Sequence, residues 1–254
     1  MKRLSPIAAA SIVGLVLAMS SSADLKAAEL KVAAGGSLVP LFKELGPQFE
    51  KASGHKLSIH FDSTPSIIAR MAAGTAFDAA VVPIDVLKDA GAKARFAPAS
   101  IVDIARVGYG VIVRAGAPKP DISTPEAFKQ AMLAAPSIAF VPPSAAGAYI
   151  ISVFEKLGID KKMETKTKQE SAPVKIAPAV AAGKAALGVF LMNVLVGPGV
   201  ELVGPFPAEL QQELVFTAGV ASDSKQADAA KALMDFLKTP AAAAAFKAAG
   251  MTPG

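Results

Sequence analysis

Apolar positions along this chain follow two alternating periods. Residues 30–34 (LKVAA), 57–62 (LSIHFD) and 78–83 (DAAVVP) are short runs of alternating or continuous apolar residues, the pattern of strands. Between them lie runs with helical spacing. One covers 38–51, opened by Ser37 as an N-cap and ended by Gly54. The next covers 66–73, opened by Thr64 as N-cap with Pro65 at the first helical position, and ended by Gly74. The middle of the chain repeats this grammar. Ser123, Thr124, Pro125 and Glu126 form a capping box with a proline, opening a helix that runs to Ala134. Strand 138–141 (IAFV), a helix over 146–157 closed by Gly158, a helix over 176–182 and a buried strand over 185–192 follow. Residues 160–172 read as a polar, lysine-rich surface loop, and 197–209, with two glycine-proline steps, as a linker. An amphipathic helix over 226–238 and an alanine-rich one over 241–249, capped by Thr239, complete the chain.

Strands alternating with helices predict an α/β fold with mainly parallel sheets. Two β-rich stretches, 101–113 and 214–221, sit between helix-strand blocks and are expected to carry the chain between two lobes. The predicted lobes are residues 29–108 plus 217–254, and residues 109–216.

The N-terminus has a different pattern. Lys2 and Arg3 precede a 13-residue mostly apolar run, 7–19, and then the small residues Ser20, Ser21, Ser22 and Ala23. A basic start, a short apolar stretch and a small-residue cleavage site describe a secretory signal peptide over residues 1–23, with cleavage possible up to residue 28. The apolar run is short for a membrane span. The expected location is periplasmic. Removing the two basic groups of residues 1–23 lowers the net charge from +5 to +3. The remaining lysines are scattered except for Lys161, Lys162, Lys166 and Lys168, and tryptophan is absent, so nucleic-acid binding is not expected. With no cysteine, disulfides, thiol catalysis and thiolate metal sites are excluded. Signatures of serine hydrolases, zinc proteases and dinucleotide binding are missing, and neither a cofactor nor a metal is expected. His55 and His60 read as surface or strand histidines without a ligand cluster around them.

What recurs instead is a hydroxyl or small residue just after a predicted strand. Ser37 follows the first, with Gly35 and Gly36 before it. Ser63, Thr64 and Ser66 follow the second, and Ser144, Ala145, Ala146 and Gly147 follow strand 138–141. In open α/β sheets ligands bind beyond the carboxyl ends of strands, where helix N-termini present free N–H groups and a positive dipole end. Several such ends together would hold an anion with neutral donors. The competing reading is that each hydroxyl only caps its own helix.

At these residues the chain resembles the periplasmic molybdate-binding proteins of ABC importers. The similar segments are VAAGGSL at 32–38, FDSTPSIIARMAAG at 61–74, AAGAYIISVFEKLGI at 145–159, AAGKAALGVFL at 181–191 and FLKTPAAAAAFKAAGM at 236–251. The resemblance implies a type II solute-binding fold, two lobes with a cleft between them. It also implies a monomer that delivers its ligand to an ABC permease. The family's oxyanion-binding positions fall on Ser37, on Thr64 with Ser63 adjacent, and on the backbone at Ala146, beside Gly147. Two further positions differ. The family's tyrosine falls near Leu191, which has no hydroxyl, and a backbone donor falls near Pro173, which has no N–H.

The resulting expectation is an exported binding protein for a small anion, either a molybdate-like oxyanion or a small carboxylate. Arg70, Arg106, Lys175 and Tyr149 are candidate partners for a carboxylate. The alternative is an enzyme. Some proteins resembling this family are aconitate isomerases, and Asp62 or His60 would then be the base. The leader predicts a mature N-terminus between residues 24 and 29. Mass spectrometry of protein from fractionated cells reads it directly, and full-length chain held in the cytoplasm would overturn it.

Overall fold

The structure is a computed structural model that describes residues 27–254. The expected signal peptide, residues 1–23, lies outside the described residues. The first half of the chain alternates β1 (Glu29–Gly35), α1 (Val39–Ser53), β2 (Lys56–Asp62), α2 (Thr64–Ala72), β3 (Ala79–Pro83) and α3 (Ala90–Ala94). Then comes β4 (Val102–Arg114), followed by α4 (Pro125–Ala134), β5 (Ile138–Phe140), α5 (Ala145–Lys156), α6 (Asp160–Lys166), β6 (Thr167–Gln169), α7 (Ile176–Ala181), β7 (Leu187–Leu191) and β8 (Val200–Pro205). The chain closes with β9 (Glu213–Val220), α8 (Ala227–Leu237), α9 (Pro240–Ala248) and β10 (Thr252–Pro253).

The strands pair in the order β2-β1-β3-β9-β4-β7-β5-β6. The β2-β1-β3 and β6-β5-β7 groups are each parallel, as their helical crossovers require. Antiparallel β9 and β4 join them. β4 does this by changing neighbours along its length. Its residues 102–108 pair with β9, and its residues 109–114 pair with β7 and β8. At the change, Gln211 takes the place of a strand partner: its Oε1 accepts from the Tyr109 N–H and its Nε2 donates to the Tyr109 carbonyl, both at 2.9 Å.

Most elements form where the apolar pattern puts them, because each buries its periodic face. In α1 the buried Leu41, Phe42, Leu45 and Phe49 follow helical spacing and join the main core. Phe49 meets Phe236 of α8 edge-to-face at 5.6 Å, so the C-terminal helices return to the first sheet. A smaller core, with Ile67, Met71, Phe77 and Phe96, lies beneath α2 and α3.

Four expectations need correction. Residues 160–172 are not a loop, since α6 and the edge strand β6 occupy 160–169; a short polar edge strand carries no apolar alternation to announce it. Residues 200–205, expected as linker, form β8 and pair with the second half of β4. The α4 cap is Thr124, which accepts from the Ala127 N–H, while Glu126 accepts from Gln130 instead of closing a box with Ser123. His55 is buried, its Nδ1 accepting from the Ala28 N–H at 3.2 Å.

Tyr109 stacks on Tyr149 (centroids 4.7 Å) and Phe206 (5.6 Å) at this junction. Burial pushes its hydroxyl above the ordinary tyrosine range, and Asp85 and Tyr149 add to the shift. An unfolded tyrosine ionises near about pH 10 while the folded one keeps its proton, so alkali favours the unfolded chain. Stability is therefore expected to fall as the pH rises above about 10, and Tyr109→Phe to flatten that decline. Urea midpoints measured from neutral to alkaline pH test this.

Candidate functional site

The carboxyl ends of β1, β2 and β3 face those of β5 and β6 across a cavity of about 300 Å³. Gly35, Gly36 and Ser37 line it from the end of β1, and Asp62, Ser63, Thr64 and Ser66 from the end of β2. From the second sheet come Val141, Ser144, Ala145 and Ala146, then Gln169 to Pro173, and Phe190 of β7. The N-termini of α2 and α5 thus both open on this space, as doubly wound sheets arrange them.

Each polar group here has a distinct local role. Ser37 does not cap α1. Residues 36–38 make a tight 3₁₀ turn, and α1 starts at Val39 with Leu38 in the cap position and no side-chain cap bond. Pro40 in the first turn removes one of the donors a cap would serve. The Ser37 hydroxyl consequently makes no hydrogen bond among the described residues, although the residue is only 8% exposed. Its carbonyl accepts from the buried Asn193 Nδ2 at 2.8 Å.

At α2 the cap is shifted by one residue from the expectation. Ser63 is the N-cap, accepting from the Ser66 N–H, and its own N–H donates to Asp62 Oδ1 at 2.8 Å. Thr64 is the first helical residue, and its Oγ1 accepts from the Ala145 N–H across the cavity at 3.3 Å. That bond occupies a lone pair and leaves the hydroxyl hydrogen to donate.

At α5, Ser144 caps. Its Oγ accepts from the Gly147 N–H at 2.9 Å and donates to the Val141 carbonyl at 2.8 Å. Three of the four leading amides of α5 are then accounted for: Ala145 bonds Thr64, Gly147 bonds Ser144 Oγ, and Ala148 bonds the Ser144 carbonyl. The Ala146 N–H alone of these has no partner among the described residues. Gly147 is required for packing, because a Cβ there would stand 2.1 Å from the Val141 carbonyl oxygen.

The cavity therefore brings together unused donors from both sheets, among them the hydroxyls of Ser37 and Thr64 and the amide of Ala146. It brings Ser63 to the wall with its oxygen engaged as a cap, and Gly147 next to it with its N–H engaged. Pro173 is on the wall, its ring against Gly36, and contributes no N–H; Leu191 is fully buried.

The four candidate partners for a carboxylate are not among the residues that line the cavity. Arg70 lines a separate groove of about 200 Å³ with Lys31 and His60. Arg106 is exposed in β4, opposite Thr252. Lys175, itself outside the lining, donates to Ser171 Oγ at 2.8 Å, and the Tyr149 hydroxyl donates to the Leu210 carbonyl. Among the described residues no group of three metal-ligating side chains is present.

Sequence reasoning missed Glu170, which follows the unforeseen edge strand β6, and Asn193, which follows β7. No local pattern marks either one. Asp62 is on the wall, with Oδ2 3.3 Å from His60 Nε2.

Residues 30–252 match the model of a family described as bacterial extracellular solute-binding protein. An aconitate isomerase from a Pseudomonas species is 32% identical over 231 residues, covering 88% of this chain and 87% of that protein. The molybdate-binding protein ModA of Azotobacter vinelandii is 27% identical over 239 residues, covering 89% and 90%. Among solved structures, the A. vinelandii periplasmic molybdate-binding protein superposes with a TM-score of 0.72 at 20% identity, over 88% of this chain and 98% of that one. The sulfate-binding protein SubI of Mycobacterium tuberculosis gives 0.70 at 14% identity, over 89% and 87%. These superpositions establish the two-lobed fold.

The hydrogen bonds separate caps from free donors, and stability measurements will read the difference. Ser144→Ala removes a cap and is expected to cost about 0.5–2 kcal/mol. Ser37→Ala removes a hydroxyl with no protein partner and is expected to stay within about 0.5 kcal/mol. Urea denaturation of both variants checks the contrast.

Proposed function

The chain belongs to the bacterial extracellular solute-binding protein family, and we propose that within it this protein is an exported, periplasmic carrier that captures a small anion and hands it to an ABC permease. The ligand sits in the cavity between the lobes, with residues 29–108 and 217–254 on one side and most of 109–216 on the other. The pairing of β4 supports this division, and residues 213–216 of β9 pair with its first half. The ligand residues are Ser37, Thr64 and Ala146, with Ser63 and Gly147 shaping the two helix ends. Closure of the lobes brings these donors around the ligand.

One observation carries the reading. Three donors that no protein group uses, drawn from both sheets, line a single cavity at the N-termini of two helices. Neutral donors and helix dipoles suit an anion. The relatives named for molybdate and the sulfate-binding neighbour agree with that class of ligand.

A second reading has its own support. The 32% identical relative is named an aconitate isomerase, and Asp62, with His60 behind it, stands on the cavity wall. As an isomerase the protein would bind a small unsaturated tricarboxylate. Asp62 would take a proton from one carbon, the double bond would shift by one position, and a proton would return at the other end of the three-carbon unit. Incubation with cis- or trans-aconitate, followed by proton NMR, separates turnover from passive binding.

A thermal-shift screen of molybdate, tungstate, sulfate and di- and tricarboxylates on the mature protein tests the carrier reading. A ligand at 100 times its dissociation constant is expected to add about 2.7 kcal/mol of stability. For the ligand found, Ser37→Ala and Thr64→Ala are each expected to weaken binding by about 1.5–3 kcal/mol, roughly 10- to 150-fold in Kd by calorimetry. Unchanged affinity in both variants would remove these hydroxyls from the site.

A further inference from the structure

The same cavity carries a second chemistry that neutral donors do not explain. Asp62 lines it from the end of β2, and Glu170 from the residue after β6, one acidic residue from each sheet. The lining contains no lysine, arginine or histidine among the described residues. Lys175 is outside the lining, and its ammonium donates to Ser171 Oγ on the wall. Asp62 has one oxygen on the Ser63 N–H and the other beside His60 Nε2. The Glu170 carboxylate makes no hydrogen bond among the described residues. A carboxylate only accepts, so whatever meets Glu170 and the free lone pairs of Asp62 brings hydrogen-bond donors.

The wall thus holds two sets of groups with opposite demands. Ser37 is more than nine-tenths buried, with an unpartnered hydroxyl on the wall. With Thr64 and the Ala146 N–H it offers donors to an acid group. Asp62 and Glu170 offer acceptors. A volume of about 300 Å³ accommodates a small organic molecule carrying both kinds of group. A polyanion without donors would set like charges together in a partly desolvated space.

Building on the reading of this cavity as a small-anion site, we propose that it selects a small organic acid that itself carries a donor, a hydroxy acid or an amino acid. The acid group lies on Ser37, Thr64 and the Ala146 amide, and the hydroxyl or ammonium group lies on Asp62 and Glu170.

Calorimetry on the mature protein tests the proposal with two groups of probes. Molybdate and tricarballylate carry no donor; L-lactate, L-malate, L-alanine and L-glutamate each carry one. At least one donor-bearing acid is expected to bind about tenfold or more tightly than both donor-free anions. Glu170→Gln, a substitution outside the helix caps, is expected to narrow that ratio by weakening the donor-bearing acid and strengthening tricarballylate. Asp62→Asn should do the same. Tighter binding of molybdate or tricarballylate, with a ratio that neither substitution moves, overturns the proposal and leaves the small-anion reading standing. Binding of none of the six probes overturns the proposal, and the small-anion reading falls with it only if the wider anion screen also gives no shift.

Discussion

A single strand, β4, is the constraint on which this architecture depends. Thirteen residues long, it belongs to one sheet through residue 108 and to the other from residue 109. An unpaired backbone at such a change of neighbours would leave buried amide and carbonyl groups unsatisfied, which is costly. Gln211 supplies the missing pairing at Tyr109, and the Phe206 N–H adds a second donor to the same carbonyl. The aromatic stack of Tyr109, Tyr149 and Phe206 fills the space beside it. The two parallel groups of strands are thereby held with their carboxyl ends facing one cavity.

Everything at the site follows from that orientation. Parallel strands followed by helices deliver helix N-termini to one edge of each sheet. When two such edges face each other, donors from both converge. Two hydrogen bonds cross between the sheets at the cavity, Ala145 N–H to Thr64 Oγ1 and Asn193 Nδ2 to the Ser37 carbonyl. The second leaves Asn193 Oδ1 buried without a partner among the described residues. The Ser37 turn is thus held by a residue of the opposite sheet, and the geometry of a ligand group depends on how the two sheets stand.

The local resemblance of caps and ligand groups explains why the site was only partly legible. Ser37, Ser63, Thr64 and Ser144 all follow strands and all have hydroxyls. Composition cannot say which hydroxyl a helix consumes. Ser144 and Ser63 are consumed; Ser37 and Thr64 keep their hydrogens, because Pro40 and a one-residue shift at Ser63 change which backbone amides need a cap. Glu170 was illegible for another reason. It follows three polar residues that form a strand only because β5 offers them an open edge.

The sequence by itself determined most of the alternation of strands and helices, because most elements bury a face whose apolar period matches their conformation, whereas β6 and β8 form against the strands they pair with. It also determined the turns at Gly54, Gly74 and Gly158, where positive φ favours glycine. The similarity of its segments to a solute-binding family set the fold class and named Ser37, Thr64 and Ala146. The tertiary structure alone decided which donors are free, that no basic residue lines the cavity, and that two acidic residues do. Those facts depend on contacts between residues 81 to 156 positions apart, and local periodicity carries no information across such distances.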